Sequence, residues 1–200
     1  MSNLETNSIS SFFAQSWQNP QTKSPQIVDS LLREYQQKID LLSQALPQRF
    51  THILHTLRGD LPLLFTQDYP LVLTHDDLCE MNILVDPDTG HINGIIDWAD
   101  AKVLPFGTVL WGFENTLGYM DSNGWHYYFN HHELRSLFWR TFECIVGGVS
   151  DTSRHIIHVA KTVGLFFRYG MTWEGGVEER PVRESDSSLR YLDALIVQDY

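Results

Sequence analysis

The chain has 200 residues, 42% of them hydrophobic and 20% charged, a balance that suits one globular domain and excludes disorder, collagen and low-complexity fibres. Asp and Glu number 25 against 14 Lys and Arg, and the resulting charge of −11 would repel a phosphate backbone or an anionic bilayer, so neither nucleic acid nor membrane is an expected partner. No run approaches the roughly 18 apolar residues of a membrane span, no cationic leader opens the chain, and Cys79 and Cys144 are too few for a disulfide framework; a reducing, cytoplasmic location is expected.

Residues 1–26 are rich in Ser, Asn, Gln and Thr, with Phe12, Phe13 and Trp17 as the large apolar anchors, and read as a flexible N-terminal arm. From residue 27 to 200 the chain reads as one folded unit. Leu31, Leu32, Tyr35, Ile39, Leu42 and Leu46 recur at helical spacing up to Pro47, and Phe50, Ile53, Leu54 and Leu57 predict a second helix stopping near Gly59. Leu71 to Thr74 predicts a short strand. Asn82 to Asp86 and His91 to Asp97 predict a hairpin around Pro87-Asp88-Thr89-Gly90. Beyond Pro105 the pattern predicts helices near 107–119, 132–147, 152–170 and 186–197, with an acidic, glycine-bearing loop between the last two.

The stretch Thr74-His75-Asp76-Asp77-Leu78, followed by Asn82-Ile83-Leu84-Val85-Asp86 and then Gly94-Ile95-Ile96-Asp97-Trp98, concentrates the chemistry. If Asp86 pairs with His91, constant register sets Asn82 opposite Ile95, with Asp97 diagonal to Asn82 on one face. Diagonal neighbours lie about 7 to 8 Å apart, a span one cation can bridge. Ile83, Val85, Ile92 and Ile96 then share the opposite, apolar face, and a one-residue slip would mix carboxylate with core. Asp77, on the loop entering the hairpin, is a candidate proton acceptor for a substrate hydroxyl, and Asn82 and Asp97 offer the hard oxygens that magnesium favours. A base beside two such ligands is the equipment of phosphoryl transfer, and hydrolysis by a metal-bound water would use the same parts.

His75-x-Asp77-Leu78-x-x-x-Asn82-Ile83-Leu84-Val85 with Gly94-Ile95-Ile96-Asp97-Trp98 resembles the C-terminal lobe of the aminoglycoside phosphotransferase and choline kinase-like superfamily, in its fungal-type form. The resemblance implies a protein kinase-like α+β fold, mainly α, with a small hairpin at the catalytic loop and a helical bundle. It also implies transfer of the γ-phosphoryl of ATP, with Mg2+, to a small-molecule hydroxyl. By that resemblance Asp77 matches the catalytic aspartate, His75 the structural histidine before it, and Asn82 and Asp97 the cofactor- and metal-binding pair.

Two departures from the pattern shape the expectation. Asp76 stands where the family usually has glycine, adding a second carboxylate that could perturb Asp77 or share its role. No glycine precedes Gly59, and only Lys23 and Lys38 precede it as lysines, so a glycine-rich loop and its partner lysine are not found and the nucleotide lobe is expected to be absent. Nucleotide affinity is then expected to be weak unless another chain or a second protomer supplies the missing wall.

The aromatic stretch after Asp97 reads as core, or as a substrate wall. In the second reading Trp111, Glu114, Tyr119, Asp121 and Trp125 would hold a cationic or flat hydrophobic small molecule. Three functions are therefore carried forward: a small-molecule phosphotransferase; an ATP-independent enzyme using Asp77 and Asp76 for isomerisation, dehydration or cyclisation; and a non-catalytic, pseudokinase-like binding module whose uncovered face favours oligomerisation.

Overall fold

The computed structural model describes residues 2–174 and 178–196. Ser2 opens the first helix, α1 (Asn3–Gln18), through a capping box: its hydroxyl accepts from the Glu5 amide at 3.2 Å while the Glu5 carboxylate accepts from the Ser2 amide. Ile9, Phe13 and Ala14 are buried on one face of α1. Phe13 sits 5.8 Å from Phe138, and Trp17 stands edge-on to Phe106 at 4.9 Å. Residues 3–18 are therefore a core helix rather than the flexible arm their composition suggests, because three apolar residues at helical spacing suffice when a partner helix supplies the rest of the contact.

Ser24 and Pro25 start α2 (Pro25–Ala45), which buries Tyr35, Ile39 and Leu42. α3 (Thr51–Asp60) runs through Gly59 instead of stopping there and continues into a single 3-10 segment, Leu61–Phe65. β1 (Leu71–Thr74) leads into the His75–Asn82 loop, and β2 (Ile83–Val85) pairs antiparallel with β3 (Ile92–Ile95). β4 (Lys102–Pro105) returns to pair with β1.

The helix expected near 107–119 shrinks to α4 (Trp111–Asn115), and the aromatic stretch that follows is a hairpin, β5 (Gly118–Asp121) with β6 (Gly124–Tyr127). Asp121 explains the difference. Its carboxylate accepts from the amides of Asn123 at 2.7 Å and Gly124 at 3.2 Å, closing a turn that helical periodicity cannot reveal.

α5 (His131–Val146) ends at Gly147, whose φ of 82° stops the helix, and α6 (Asp151–Tyr169) follows. The acidic stretch after it is not a plain loop: β7 (Met171–Glu174) pairs with β8 (Glu178–Pro181). Residues 175–177, between them, lie outside the described residues, as do 197–200. α7 (Leu189–Leu195) closes the described chain.

The described residues form a mainly helical α+β protein with small two-stranded ladders. Its core joins α1 to α5 through the edge-on Phe13–Phe138 and Trp17–Phe142 pairs, α2 to α6 through Tyr35 and Phe167, and Phe50, just before α3, to Phe166 of α6. None of the described helices is long and apolar enough to cross a membrane.

Two glycines set close approaches that fix the site. A Cβ at Gly112 would lie 2.6 Å from the Leu78 carbonyl, on the loop that carries Asp76 and Asp77, and one at Gly164 would overlap the Thr108 carbonyl. Truncating Phe13 to alanine is expected to cost about 3 kcal/mol or more in urea denaturation, whereas Leu4→Ala on the open face of α1 should change stability by under about 0.5 kcal/mol.

Candidate active site

His75, completely buried, joins the two limbs of the site. Its Nε2 is hydrogen-bonded to the Ile96 carbonyl at 2.7 Å, and its ring stands 4.8 Å from that of Trp98. Trp98 is itself anchored, donating from its indole to the Ile95 carbonyl at 2.8 Å and resting against Phe12 of α1. β1 and the end of β3 are thus pinned together just before each delivers its acidic residue.

Asp76 follows in the left-handed region with φ of 42°. This is the conformation glycine adopts without steric cost, which gives a physical reason for glycine to be usual there. Lys102 at the start of β4 offsets the cost with an ion pair to Asp76 Oδ2 at 2.6 Å. That hydrogen bond raises the lysine above its ordinary value, against the opposing effect of burial.

Asp77 is gripped at both oxygens. Arg168 Nη2, from the last turn of α6, reaches Oδ1 at 2.9 Å, and Asn82 Nδ2 lies 3.3 Å from Oδ2 while donating to the Asp77 carbonyl at 2.9 Å. The guanidinium lies 4.4 Å from the centre of the Trp111 ring, which forms its floor. Asp76 and Asp77 therefore each have their own cation, so the two carboxylates are not left to repel one another alone.

The hairpin register differs from the constant one expected. Asp86 does pair toward His91 at the turn, but the ladder shifts between Leu84 and Val85, giving Val85 opposite Ile92 and Ile83 opposite Ile95. Asn82 consequently faces Ile96, whose amide donates to its carbonyl at 3.0 Å. The bulge absorbs one residue, a local change that face-segregation arguments cannot detect. Asp97 then leaves the strand at once, in the left-handed region with φ of 62°, and is exposed.

Asn82, mostly buried, turns its amide nitrogen to Asp77, which leaves its oxygen for another partner; that oxygen and the exposed Asp97 carboxylate are each of the hard kind magnesium takes, and neither residue is among those that line the cleft beside Asp77. Among the described residues no cluster of three His, Cys, Asp or Glu side chains could hold a metal by itself.

The loop borders a cleft of about 530 Å3 whose walls include Asp76, Asp77, Lys102, Trp111 and Arg168, with Glu34 and Lys38 reaching in from α2. The other expected substrate residues do not join it. Glu114 is buried and bound to Arg135 at 2.8 Å and Lys161 at 3.1 Å, so it is a core ion-pair centre rather than a substrate contact. Asp121 closes the β5–β6 turn and also pairs with His126. Tyr119 and Trp125 line a second cavity of about 410 Å3 on the far side of the loop.

Arg168 and Lys102 were not legible as site residues, since neither lies in the motif; the one signal is that each is a basic residue at the end of an element in a strongly acidic chain.

The phosphotransferase enzyme family matches this chain over residues 13–111. The match runs from α1 to Trp111 and so contains His75, Asp77, Asn82 and Asp97, the residues the motif singles out. No curated protein matches the chain.

Burial alone would raise the Glu114 carboxyl, but the Lys161 and Arg135 charges outweigh it and hold the group below its ordinary value. A depressed folded value means that its contribution is complete above the unfolded value and drains away as pH falls through the folded one. Glu114→Gln is therefore expected to cost about 3 kcal/mol near neutrality and to flatten the loss of stability on acidification, measured by denaturant titration between pH 7 and about pH 3.

Proposed function

We propose that the chain is a phosphotransferase-like enzyme of the fungal-type, C-lobe kind, acting on the hydroxyl of a small molecule seated in the cleft beside Asp77. One observation carries this reading: Asp77 borders a cleft of small-molecule size with both carboxylate oxygens oriented, by Arg168 from α6 and by Asn82 from the loop. Each oxygen keeps lone-pair capacity for a substrate hydroxyl. Asp77 accepts that hydroxyl's proton as the substrate oxygen becomes nucleophilic, and Arg168 keeps the carboxylate from rotating away. Magnesium-bound ATP would supply the phosphoryl group and charge neutralisation, with Asn82 and Asp97 as the residues that would hold the metal.

Glu34 and Asp100 add carboxylates to the cleft, which supports a cationic substrate. Met81, Leu84 and Ile96 leave an exposed apolar face on and beside the β2–β3 hairpin, supporting a covering partner in the form of a nucleotide lobe or a second copy of the chain.

A second reading, ATP-independent acid–base chemistry, draws on the neighbouring pairs Asp76–Lys102 and Asp77–Arg168, which put two carboxylates and two cations along one cleft without a nucleotide. A panel of amino alcohols and sugars, assayed for Mg-ATP consumption and for turnover without nucleotide, separates the two. Asp77→Asn is expected to lower Mg-ATP-dependent turnover at least about 100-fold with an unchanged melting temperature. Turnover that needs no nucleotide but still fails in Asp77→Asn would select the second reading. Failure of Mg-ATP both to stabilise the protein and to be consumed would end the first.

A further inference from the structure

The catalytic loop has two sides. Asp76 and Asp77 face the cleft, whereas Glu80 and Ile83 face the second cavity, closed from below by Glu5 and Ile9 of α1 and from the far side by the β5–β6 hairpin and Tyr191 of α7. At about 410 Å3 this cavity is of the size that holds a small organic ligand.

Its chemistry is one-sided. The lining carries two carboxylates, Glu80 and Glu5, the latter also accepting from the Ser2 amide at the start of α1, and no Lys, Arg or His. The remainder sets the rings of Tyr119, Trp125, Tyr128 and Tyr191 beside the aliphatic side chains of Ile9, Ile83, Val85, Ile92 and Met120. Tyr119 is 50% exposed and Tyr128 38% exposed, so both rings reach solvent although packed into the hairpin. Trp125 and Tyr191 lie 5.7 Å apart and tilted to one another at the inner end. The Trp125 indole nitrogen is fully buried and has no hydrogen-bond partner, a donor left without an acceptor. Aromatic faces with negative quadrupoles and two carboxylates together select a flat ligand that is positively charged. The cleft beside Asp77 differs in kind, since Lys102, Arg168 and Lys38 stand among its carboxylates and pair with Asp76, Asp77 and Glu179.

We infer that this cavity, bounded by Glu5, Glu80, Tyr119, Trp125, Tyr128 and Tyr191, is a binding site for a planar organic cation, separate from the cleft that holds Asp77. The ligand's ring lies against Tyr119 and Tyr128 with its charge toward Glu80. The site stands on its own lining and does not depend on the phosphotransferase reading.

Proflavine, a planar cation, tests it by fluorescence titration of the full chain, with anthracene carboxylate as a flat anion and tetraethylammonium as a cation without a flat face. Proflavine is expected to bind saturably and both controls at least about tenfold more weakly. Glu80→Gln and Tyr119→Ala, both at exposed positions that folding tolerates, are each expected to weaken proflavine by about three- to tenfold, the range of a single cation–π or charge contact. Asp77→Asn should leave the affinity unchanged. Equal binding of the anion, no saturable binding below about 1 mM, or weakening by Asp77→Asn with Glu80→Gln and Tyr119→Ala silent would each overturn the proposal; the last would put the cation in the cleft instead.

Discussion

The buried hydrogen bond from His75 to the Ile96 carbonyl is the constraint on which the site depends. It ties the loop after β1 to the strand that ends just before Asp97, and it does so across an interior where water cannot substitute. Trp98 covers the imidazole, Phe12 covers Trp98, and α1 thereby becomes part of the support under the loop. The left-handed turns at Asp76 and Asp97 lie on either limb of this bond, so backbone conformations that β-carbon-bearing residues avoid are held by a well-packed neighbourhood.

Electrostatics divide the molecule in the same way. The chain as a whole is strongly acidic, yet Asp76 and Asp77 are each matched by a cation delivered from elsewhere, Lys102 from β4 and Arg168 from α6. Glu114 carries the same logic into the core, where two cations meet one carboxylate. Against this pattern the second cavity stands out, because its lining holds two acids and no basic side chain.

Short-range features were legible in the amino-acid sequence. β1 begins and ends at the expected residues, and α2, α5 and α6 follow their apolar spacing closely. The loop motif could be read because its residues lie within one contiguous stretch. What escaped were features decided by distant partners or by one-residue events. α1 looked like an arm since its apolar face is narrow and its burial is supplied by α5. The β5–β6 hairpin was hidden by aromatic residues compatible with either period, while the turn chemistry at Asp121 decided it. The bulge in the β2–β3 ladder left the overall alternation intact but moved Asn82 by one position. Arg168, ninety-one residues after Asp77 in the chain, has no local signature at all.

Gly164 touches no ligand, yet it governs where the Asp77 guanidinium partner stands. α6 can lie against the Thr108 carbonyl only because position 164 has no side chain, and Arg168 follows four residues, about 6 Å, further along the same helix. That absent methyl works as a spacer of zero thickness: the helix is seated by what is missing, and the charge at its tip inherits the seating. Among related chains, retention of glycine at this point would then report on acid–guanidinium alignment at a distance, since a small-to-large exchange there would have to push α6 off the Thr108 carbonyl and carry the Asp77 partner with it.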